Sequence, residues 1–340
     1  MLRLTKCIDR LFEAQTVHNI AVRVGRGDEI ICDLFRSSED RTVNEHTLFD
    51  MASVTKIAAT TSLSLIAMDR GLLSPEDKVS RFFPVPEDKR ELTIKHLMTH
   101  TMGIGHKSLL GGEREGIEDH ILNIPCDIPV GSDVRYSCPA FILLGRILEE
   151  IFGAPLDRLF DELVAAPLGM SESGFLPDMS RDILNFHTTE ELYGKVHDYN
   201  CRHLGCVAGN AGLFSNISDM TKYIKMLSLG GDPIISRETF EFAAKNHTVG
   251  MSESRGLGFL YVDERYAQAG GLFSVGSIGH CGHTGQSVFI DRESGLYVII
   301  LSDATVSTVK KYGKEKYTEV KQMRTDIHAA IRSDLCANEI

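Results

Sequence analysis

The sequence lacks the features that define membrane-spanning, nucleic-acid-binding and exported proteins. It contains no run of about 18 uninterrupted apolar residues, the length that a membrane-spanning helix requires. Acidic residues (47) outnumber Lys and Arg (36), and this excess of negative charge disfavours binding to the phosphate backbone of nucleic acid. Residues 1–6 do not begin the apolar segment of a signal peptide, so we expect a cytoplasmic protein; an exported protein without its leader is the alternative.

The motifs of structural zinc sites and of one large hydrolase class are also missing. Neither Cys-x-x-Cys nor His-Glu-x-x-His occurs, so we expect no metal and no cofactor. Gly-x-Ser-x-Gly is absent, which disfavours an α/β-hydrolase. Eight cysteines are scattered along the chain, and without a secretory signal we interpret them as reduced thiols: Cys7, Cys32, Cys126, Cys138, Cys201, Cys206, Cys281 and Cys336.

Apolar periodicity predicts strands near both ends of the chain and helices between them. On the N-terminal side it predicts one helix and two strands, at 2–15, 20–24 and 30–34. On the C-terminal side it predicts two antiparallel strands and a final helix, at 285–291, 295–303 and 313–332. The stretches between them with helical spacing are 53–71, 94–99, 141–151, 156–165 and 219–229, the last with Ser218 as N-cap.

This order of elements predicts a mixed α/β protein of the α+β type, with an antiparallel sheet flanked by N- and C-terminal helices. Residues 1–71 and 205–340 would form the sheet domain, and residues 72–204 would form an inserted, mainly helical domain. Because pockets favour the junction between two such regions, we expect an active site in the seam.

The tetrapeptide Ser53-Val54-Thr55-Lys56 carries the sharpest chemical signal. A serine hydroxyl becomes a good nucleophile only when a neighbouring base takes its proton. Residues three apart share a helix face, so Lys56 can place its amine beside Ser53, and burial that depresses the lysine pKa would make it a base. The same string also arises by chance, as an N-capped helix with an exposed lysine. The apolar sequence on both sides favours a buried, catalytic pair.

Further segments in a definite order extend this signal over about residues 20–305. They are 48–56, 92–101, 167–170, 196–200, 208–215 and 279–285. Together they resemble the serine β-lactamase-related family, which contains class C β-lactamases, DD-peptidases and esterases similar to them. The resemblance implies a β-lactamase/transpeptidase-like fold and an acyl-enzyme formed on Ser53.

The second motif of that family is Tyr-x-Asn, and Tyr136-Ser137-Cys138 stands in its place. The resemblance implies that Tyr136 shares proton handling with Lys56, since a phenol near a lysine cation ionises more easily. The pair would take the Ser53 proton and later return it to the leaving group. Cys138 would lie where the family holds the substrate's side-chain amide.

The third motif, Lys/His-Thr-Gly, is represented by His280-Cys281-Gly282. The resemblance implies that His280 is a cation or hydrogen-bond donor, and that Gly282 leaves room for substrate. The backbone N–H of His283 would be the second oxyanion donor, beside that of Ser53. A shifted register, with His283-Thr284-Gly285 as the motif, stays open; we prefer the first because a strand at 285–291 then follows it.

Histidines elsewhere are better explained as structural than as catalytic. The family carries residues like His96, His100 and His197 without using them as the base. Cys138, Cys281 and His280 could converge in the site, but we do not expect them to bind a metal.

Two cysteines depart from the family pattern in the same direction. Cys138 replaces Asn, and Cys281 replaces a Thr that helps to hold the substrate carboxylate. A thiol is a weak donor and acceptor, so an acylamino-carboxylate should bind less well. We therefore expect a serine hydrolase with esterase or acyl-transfer activity on small esters or amides. A DD-peptidase or β-lactamase is the alternative, as is a penicillin-binding or sensor module that is acylated without turnover; the oligomeric state stays open.

Overall fold

Chain segments from the two sides of the sequence build one antiparallel sheet. The computed structural model describes residues 1–38, 42–109, 112–178, 183–184 and 196–338. The strands of this sheet are β1 (Asn19–Arg26), β2 (Glu29–Ser37), β7 (Leu260–Tyr261), β8 (Ile278–Cys281), β9 (Ser287–Ile290) and β10 (Leu296–Ser302). They lie in the order β2-β1-β10-β9-β8-β7, and every pair is antiparallel.

The centre of the sheet is formed by β1 and β10, which pair from Ile20–Ser302 to Arg26–Leu296. All seven residues of β10 are buried, because both faces of the sheet are covered by helices. The continuous apolar run in this strand was the sequence signal for such a position. The predicted α+β fold with an antiparallel sheet is therefore confirmed.

A second, smaller sheet carries the segment that leads to Ser53. Its strands are β3 (Leu48–Asp50), β4 (Gly174–Phe175), β5 (Ile183–Leu184) and β6 (Leu213–Ser215), in the order β4-β6-β3-β5. β3 pairs in parallel with β5 and antiparallel with β6.

Helices cover both faces of the main sheet. Their bounds are α1 Leu2–Glu13, α2 Ser62–Asp69, α3 Ile94–Met98, α4 Ile117–Leu122, α5 Cys138–Phe152, α6 Leu156–Phe160, α7 Ala166–Leu168, α8 Tyr199–His203, α9 Ile217–Ser228, α10 Arg237–Ala243, α11 Ala304–Tyr312 and α12 Tyr317–Asn338. α1 and α12 cover one face, where Leu4, Ile8, Ile300 and Ile327 share a core. The Asp334 carboxylate on α12 accepts the N–H groups of Arg3 (3.0 Å) and Leu4 (2.9 Å), and so caps α1.

The other face packs against α9, and the helices that follow Ser53 belong to the same core. The predicted helix 53–71 consists of a 3-10 turn (Ala52–Val54), a π-helical segment (Lys56–Thr61) and α2. It ends as predicted, with Gly71 in the left-handed region (φ 67°), which glycine adopts without strain.

Three predicted helix starts were wrong, and α4, α8, α10 and α11 were not predicted. α12 begins at Tyr317 instead of residue 313, because residues 304–312 form α11 and Gly313 ends that helix. α9 begins at Ile217 with Asn216 as its cap, because Asn216 Oδ1 accepts the N–H of Asp219 (2.9 Å); Ser218 lies inside the helix. α5 begins at Cys138, three residues earlier than predicted. Its first turn accommodates Pro139, and Ser137 Oγ accepts the Ala140 N–H at 3.2 Å.

The division into a sheet domain (1–71 and 205–340) and a helical domain (72–204) stays a proposal. One hydrophobic core contains residues of both segments, among them Val54, Leu63, Phe141 and Leu148. Residues 179–182 and 185–195 of the second segment lie outside the described residues. Within the described ranges, no helix has both the length and the apolar character needed to cross a membrane.

Candidate active site

The segment before Ser53 is held in a strained turn by Asp50, the last residue of β3. The Asp50 carboxylate accepts the N–H of Ala52 (2.8 Å) and the N–H of His197 (2.6 Å). Ala52 has φ 46°, a left-handed conformation that side-chain-bearing residues rarely adopt. The turn directs Ser53 into the cleft, where its side chain is partly exposed.

Ser53 Oγ receives two hydrogen bonds. Lys56 Nζ donates one (3.0 Å), and the Tyr136 hydroxyl donates the other (2.7 Å). Lys56 is fully buried and also donates to the carbonyl oxygen of Asn210 (2.9 Å), which orients the amine towards the serine. The structure therefore brings Ser53, Lys56 and Tyr136 together, although Tyr136 is distant in sequence.

The charge state of Lys56 differs from the expectation. Burial lowers its pKa, but the interaction with Cys138, and then the interaction and hydrogen bond with Tyr136, outweigh burial and raise the pKa. The expected depressed pKa was wrong because the sequence did not show that an ionisable thiol lies beside the amine. Burial raises the pKa of Tyr136 more than Lys56 lowers it, so the phenol is protonated at neutral pH.

Cys138, the first residue of α5, lies against Lys56. Its Sγ is 3.6 Å from Lys56 Nζ. Burial raises the pKa of the thiol, but Lys56 and a hydrogen bond from His106 outweigh burial and lower it. In return, the bond to Cys138 raises the pKa of His106. The position that corresponds to Asn in the Tyr-x-Asn motif thus carries a thiol whose pKa lies below its ordinary value.

His280 lies on β8 and faces the site, with its ring centroid 6.2 Å from that of Tyr136. Its Nδ1 lies 2.8 Å from the carbonyl oxygen of Cys281. Because a carbonyl can only accept, Nδ1 carries the proton. Burial, then Lys56 and Arg255, hold the His280 pKa well below its ordinary value. The ring is therefore neutral, and Nε2 is a bare acceptor with no partner among the described residues. The family resemblance implied a cation or hydrogen-bond donor at His280, but its Nε2 is neither.

Cys281 and Gly282 complete the end of β8. Cys281 Sγ lies 3.3 Å from the hydroxyl of Tyr266, on the far wall of the cleft. A Cβ on Gly282 would approach the carbonyl oxygen of Met51 to 2.8 Å and Cβ of Ala52 to 3.4 Å. The end of the strand thus packs directly on the turn that carries Ser53. This contact is sufficient by itself to require glycine at position 282.

The backbone around His283 is fixed by four hydrogen bonds. Gly282 N–H donates to the Gln286 carbonyl (2.9 Å), and Thr305 Oγ1 donates to the His283 carbonyl. The Gly282 carbonyl accepts from Arg324 Nη2 and from the N–H of Gly285 (3.2 Å). Because Gly282 C=O and His283 N–H belong to one peptide plane, the bonds from Arg324 and Gly285 set the direction of that N–H.

The two possible registers of the third motif differ in what they present to the cleft. The residues of the preferred register, His280 and Cys281, line the cleft. Thr284, the middle residue of the shifted register, is buried and donates to the Asp50 carbonyl (3.2 Å), away from the cleft. The His283 ring lies at the rim, stacked on Tyr317 (centroids 4.9 Å) and bonded to Glu315 (3.1 Å).

These groups open into one cleft of about 1180 Å³. Tyrosines are frequent in its wall, together with charged residues of both signs: Tyr136, Tyr199, Tyr261, Tyr266, Tyr317, Asp198, Arg202, Glu253, Arg255 and Glu315. Apolar rings with polar edges suit a small organic molecule that has both apolar and hydrogen-bonding parts.

The histidines that we interpreted as structural have local partners. His96 forms a capping box with Thr93 at the start of α3. His100 Nδ1 accepts the N–H of Ser137 (3.1 Å), and burial holds the pKa of His100 well below its ordinary value. His197 gives its N–H to Asp50 and lines the cleft.

Several residues of the site had no sequence signal of their own. Three of them take part in the site through hydrogen bonds that involve a backbone group and exist only in the folded chain: Asp50, Asn210 and Arg324. Arg255 lies 5.8 Å from the Tyr136 ring, is 5% exposed and forms an ion pair with Glu253. A charged residue before Gly-x-Gly is not a recognisable motif, so the sequence did not indicate Arg255 as a site residue. In the described part of the chain, no three His, Cys, Asp or Glu residues are placed to hold a metal ion.

Known proteins resemble this chain in sequence. Esterase EstB of Burkholderia gladioli is 29% identical over 356 residues, covering 88% of this chain and 90% of EstB. A putative D-alanyl-D-alanine carboxypeptidase of Escherichia coli K12 is 29% identical over 309 residues, covering 77% of this chain and 70% of that protein.

Solved structures and a family model extend the comparison. EstCE1, described as a hydrolase with promiscuous acyltransferase activity, superposes with a TM-score of 0.77 at 21% identity, covering 96% of this chain and 97% of EstCE1; this likeness shows the fold. The model of the family described as beta-lactamase matches residues 4–320, nearly the whole chain. The chain therefore belongs to the β-lactamase family and is a serine hydrolase of that family.

Proposed function

We propose that this protein hydrolyses small neutral esters through an acyl-enzyme on Ser53. One observation carries the proposal: Ser53 Oγ is bonded to both Lys56 and Tyr136 at the base of a cleft whose third motif offers an acceptor and a thiol. A carboxylate needs donors or positive charge, and neither His280 Nε2 nor Cys281 supplies them strongly. At these two residues an ester without a carboxylate fits better.

The first step transfers the acyl group to Ser53. Lys56 and Cys138 share one proton, and the amine is a base when that proton lies on sulfur. Lys56 then takes the Ser53 proton as Oγ bonds to the acyl carbon. When the tetrahedral intermediate collapses, the leaving alcohol receives a proton through the Tyr136 hydroxyl, which Lys56 replenishes. A water molecule repeats the sequence and releases the acid.

The oxyanion of the intermediate would be stabilised by the N–H groups of Ser53 and His283. The 3-10 turn positions the first, and the Gly282 carbonyl held by Arg324 positions the second. Fixed backbone donors stabilise the developing charge without reorganisation, and this contribution is commonly the largest in acyl transfer.

One relative supports the preference for esters, because EstB is named an esterase. EstCE1, which shares the fold, is described as a hydrolase with promiscuous acyltransferase activity. An alcohol entering the cleft instead of water would yield a new ester, so acyl transfer is part of the same proposal. The cleft volume fits a small-molecule acyl substrate.

The test compares p-nitrophenyl butyrate with a chromogenic cephalosporin on the wild type and Ser53→Ala. We expect faster turnover of the ester, no turnover by the variant, and a single fluorophosphonate adduct on Ser53 by mass spectrometry. Faster turnover of the cephalosporin would overturn the ester preference. Normal activity of Ser53→Ala would overturn Ser53 as the nucleophile.

A DD-peptidase is the second candidate, because a relative is named a putative D-alanyl-D-alanine carboxypeptidase. That activity would release D-alanine from a D-Ala-D-Ala peptide, which the ester proposal does not predict. A module that is acylated without turnover would instead give a burst of one equivalent of p-nitrophenol followed by a stable adduct.

A further inference from the structure

The cleft contains a second nucleophilic group, the thiol of Cys138. Its sulfur lies 3.6 Å from Lys56 Nζ, and Cys138 lines the cleft together with Ser53. The residue is 3% exposed, so a reagent must be small and must enter the cleft to reach the sulfur.

The surroundings of Cys138 stabilise a thiolate. Cys138 begins the 15-residue helix α5, whose first N–H groups and dipole favour negative charge. The Lys56 ammonium and the His106 ring lie beside the sulfur, and together they outweigh burial and the opposing charge of Asp198. A positive partner and a helix N-terminus are the conditions under which cysteines become reactive.

Four of the other cysteines have the opposite environment. All eight are free thiols. Burial raises the pKa of four of them, Cys7, Cys32, Cys126 and Cys201, which makes these thiols less reactive. Because the thiolate is the reacting species, this contrast predicts selectivity for Cys138 over these four.

One buried acceptor in the cleft wall, Nε2 of His280, has no partner among the described residues. Buried polar atoms are normally satisfied, so this atom favours an additional hydroxyl-bearing group in the cleft.

We propose that Cys138 is an oxidation site at which hydrogen peroxide reversibly switches the enzyme off. The thiolate attacks one peroxide oxygen, an S–O bond forms and the O–O bond breaks. Sulfur is oxidised to sulfenic acid, and peroxide oxygen is reduced to hydroxide, which is protonated by solvent. Two equivalents of a thiol reductant return the sulfenic acid to thiol, with release of water and one disulfide of the reductant.

Oxidation would stop acyl transfer because it adds an oxygen atom to the sulfur beside Lys56. This part of the cleft is buried, and the added atom would displace the amine from Ser53. This consequence rests on the proposed function, but the modification itself does not.

The modification is tested on the folded wild-type protein with hydrogen peroxide and dimedone, followed by peptide mass spectrometry. We expect one dimedone adduct on Cys138, formed about tenfold faster than any adduct on Cys126, because of the thiolate fraction. Lys56→Met should slow this labelling about tenfold, since the cation is lost. Adducts on other cysteines with Cys138 unmodified would overturn the proposal without bearing on the hydrolase.

The switch is tested by fluorophosphonate labelling of Ser53 before peroxide, after peroxide and after dithiothreitol. Wild type and the control Cys126→Ser should lose labelling and recover it, whereas Cys138→Ser should keep its own starting level. Equal loss in Cys138→Ser would overturn the switch. If Ser53 of untreated wild type does not label, the proposed function fails. The dimedone result still shows whether Cys138 is the oxidation site.

Discussion

The guanidinium of Arg324 donates a hydrogen bond to the carbonyl oxygen of Gly282, joining the C-terminal helix to the end of β8. Arg324 is fully buried, and it also donates to Gln268 (3.2 Å) and Tyr317 (3.4 Å). A buried cation is costly, and Arg324 donates from Nη1 and Nη2 while its Nε has no partner among the described residues. Its placement against this carbonyl indicates a positioning role. It connects the interior of the protein to the proposed second oxyanion donor.

Arg324→Met should lower kcat for the ester about tenfold with little change in KM, because the N–H of His283 loses its fixed direction. Arg332→Met, on the exposed side of the same helix, is the matched control. Partial recovery of kcat in Arg324→Lys would support positioning. Equal losses in both Met variants would indicate a general effect of changing the helix.

Tyr136→Phe removes the hydroxyl that donates to Ser53 at 2.7 Å and retains the ring. We expect kcat/KM to fall about 100-fold or more, in the range found for loss of a general acid or base. Tyr199→Phe, at a half-exposed tyrosine of the same cleft, should change kcat/KM less than about threefold. A Tyr136→Phe enzyme with normal kcat/KM would remove the phenol from the proton path.

Gly282→Ala places a methyl group 2.8 Å from the Met51 carbonyl oxygen. The strand or the serine turn must move, so we expect loss of most activity and a decrease of about 1–3 kcal/mol in the free energy of unfolding. Gly174→Ala is the control, because its Cβ would meet no atom nearer than 3.8 Å. Urea unfolding and ester assays measure both effects, and an active, stable Gly282→Ala would contradict the packing described.

Burial raises the pKa of Asp50 to about 6, more than its bonds from His197 and Ala52 lower it. A carboxyl whose pKa is higher folded than unfolded binds more protons when folded, between about pH 4 and 6. Its stabilising contribution is complete below this range and is lost as the pH rises through about 6.

The free energy of unfolding of wild type relative to Asp50→Asn should therefore decrease with pH, by at most about 1.4 kcal/mol per pH unit across that range. Urea titrations at several pH values measure it, with Asp28→Asn, at a fully exposed carboxylate, as control. A difference that does not change with pH would contradict the raised pKa of Asp50.

Local patterns predicted those parts of the site that depend on local geometry. Ser53 and Lys56 are three residues apart, and the apolar residues around them indicated burial, so their contact was foreseeable. Helix starts were less certain. Asn216 and Ser218 are both favourable cap residues, and Asn216 is the cap in the structure.

Charge states could not be predicted, because they depend on partners distant in sequence. The raised pKa of Lys56 requires Cys138, which arrives on a different helix. The His280 tautomer depends on a carbonyl that only the folded strand places beside Nδ1. The role of Arg324 also appears only when α12 packs against β8.

The pairing of β1 with β10 has a consequence for synthesis on the ribosome. β1 meets β2 immediately, through a two-residue turn, but its other edge has no partner until β10 is translated. A nascent chain that lacks β10 therefore exposes the N–H and C=O groups of an apolar strand, a template for aggregation. The main sheet is completed only when β10 is available, so one edge of β1 stays unpaired through most of translation.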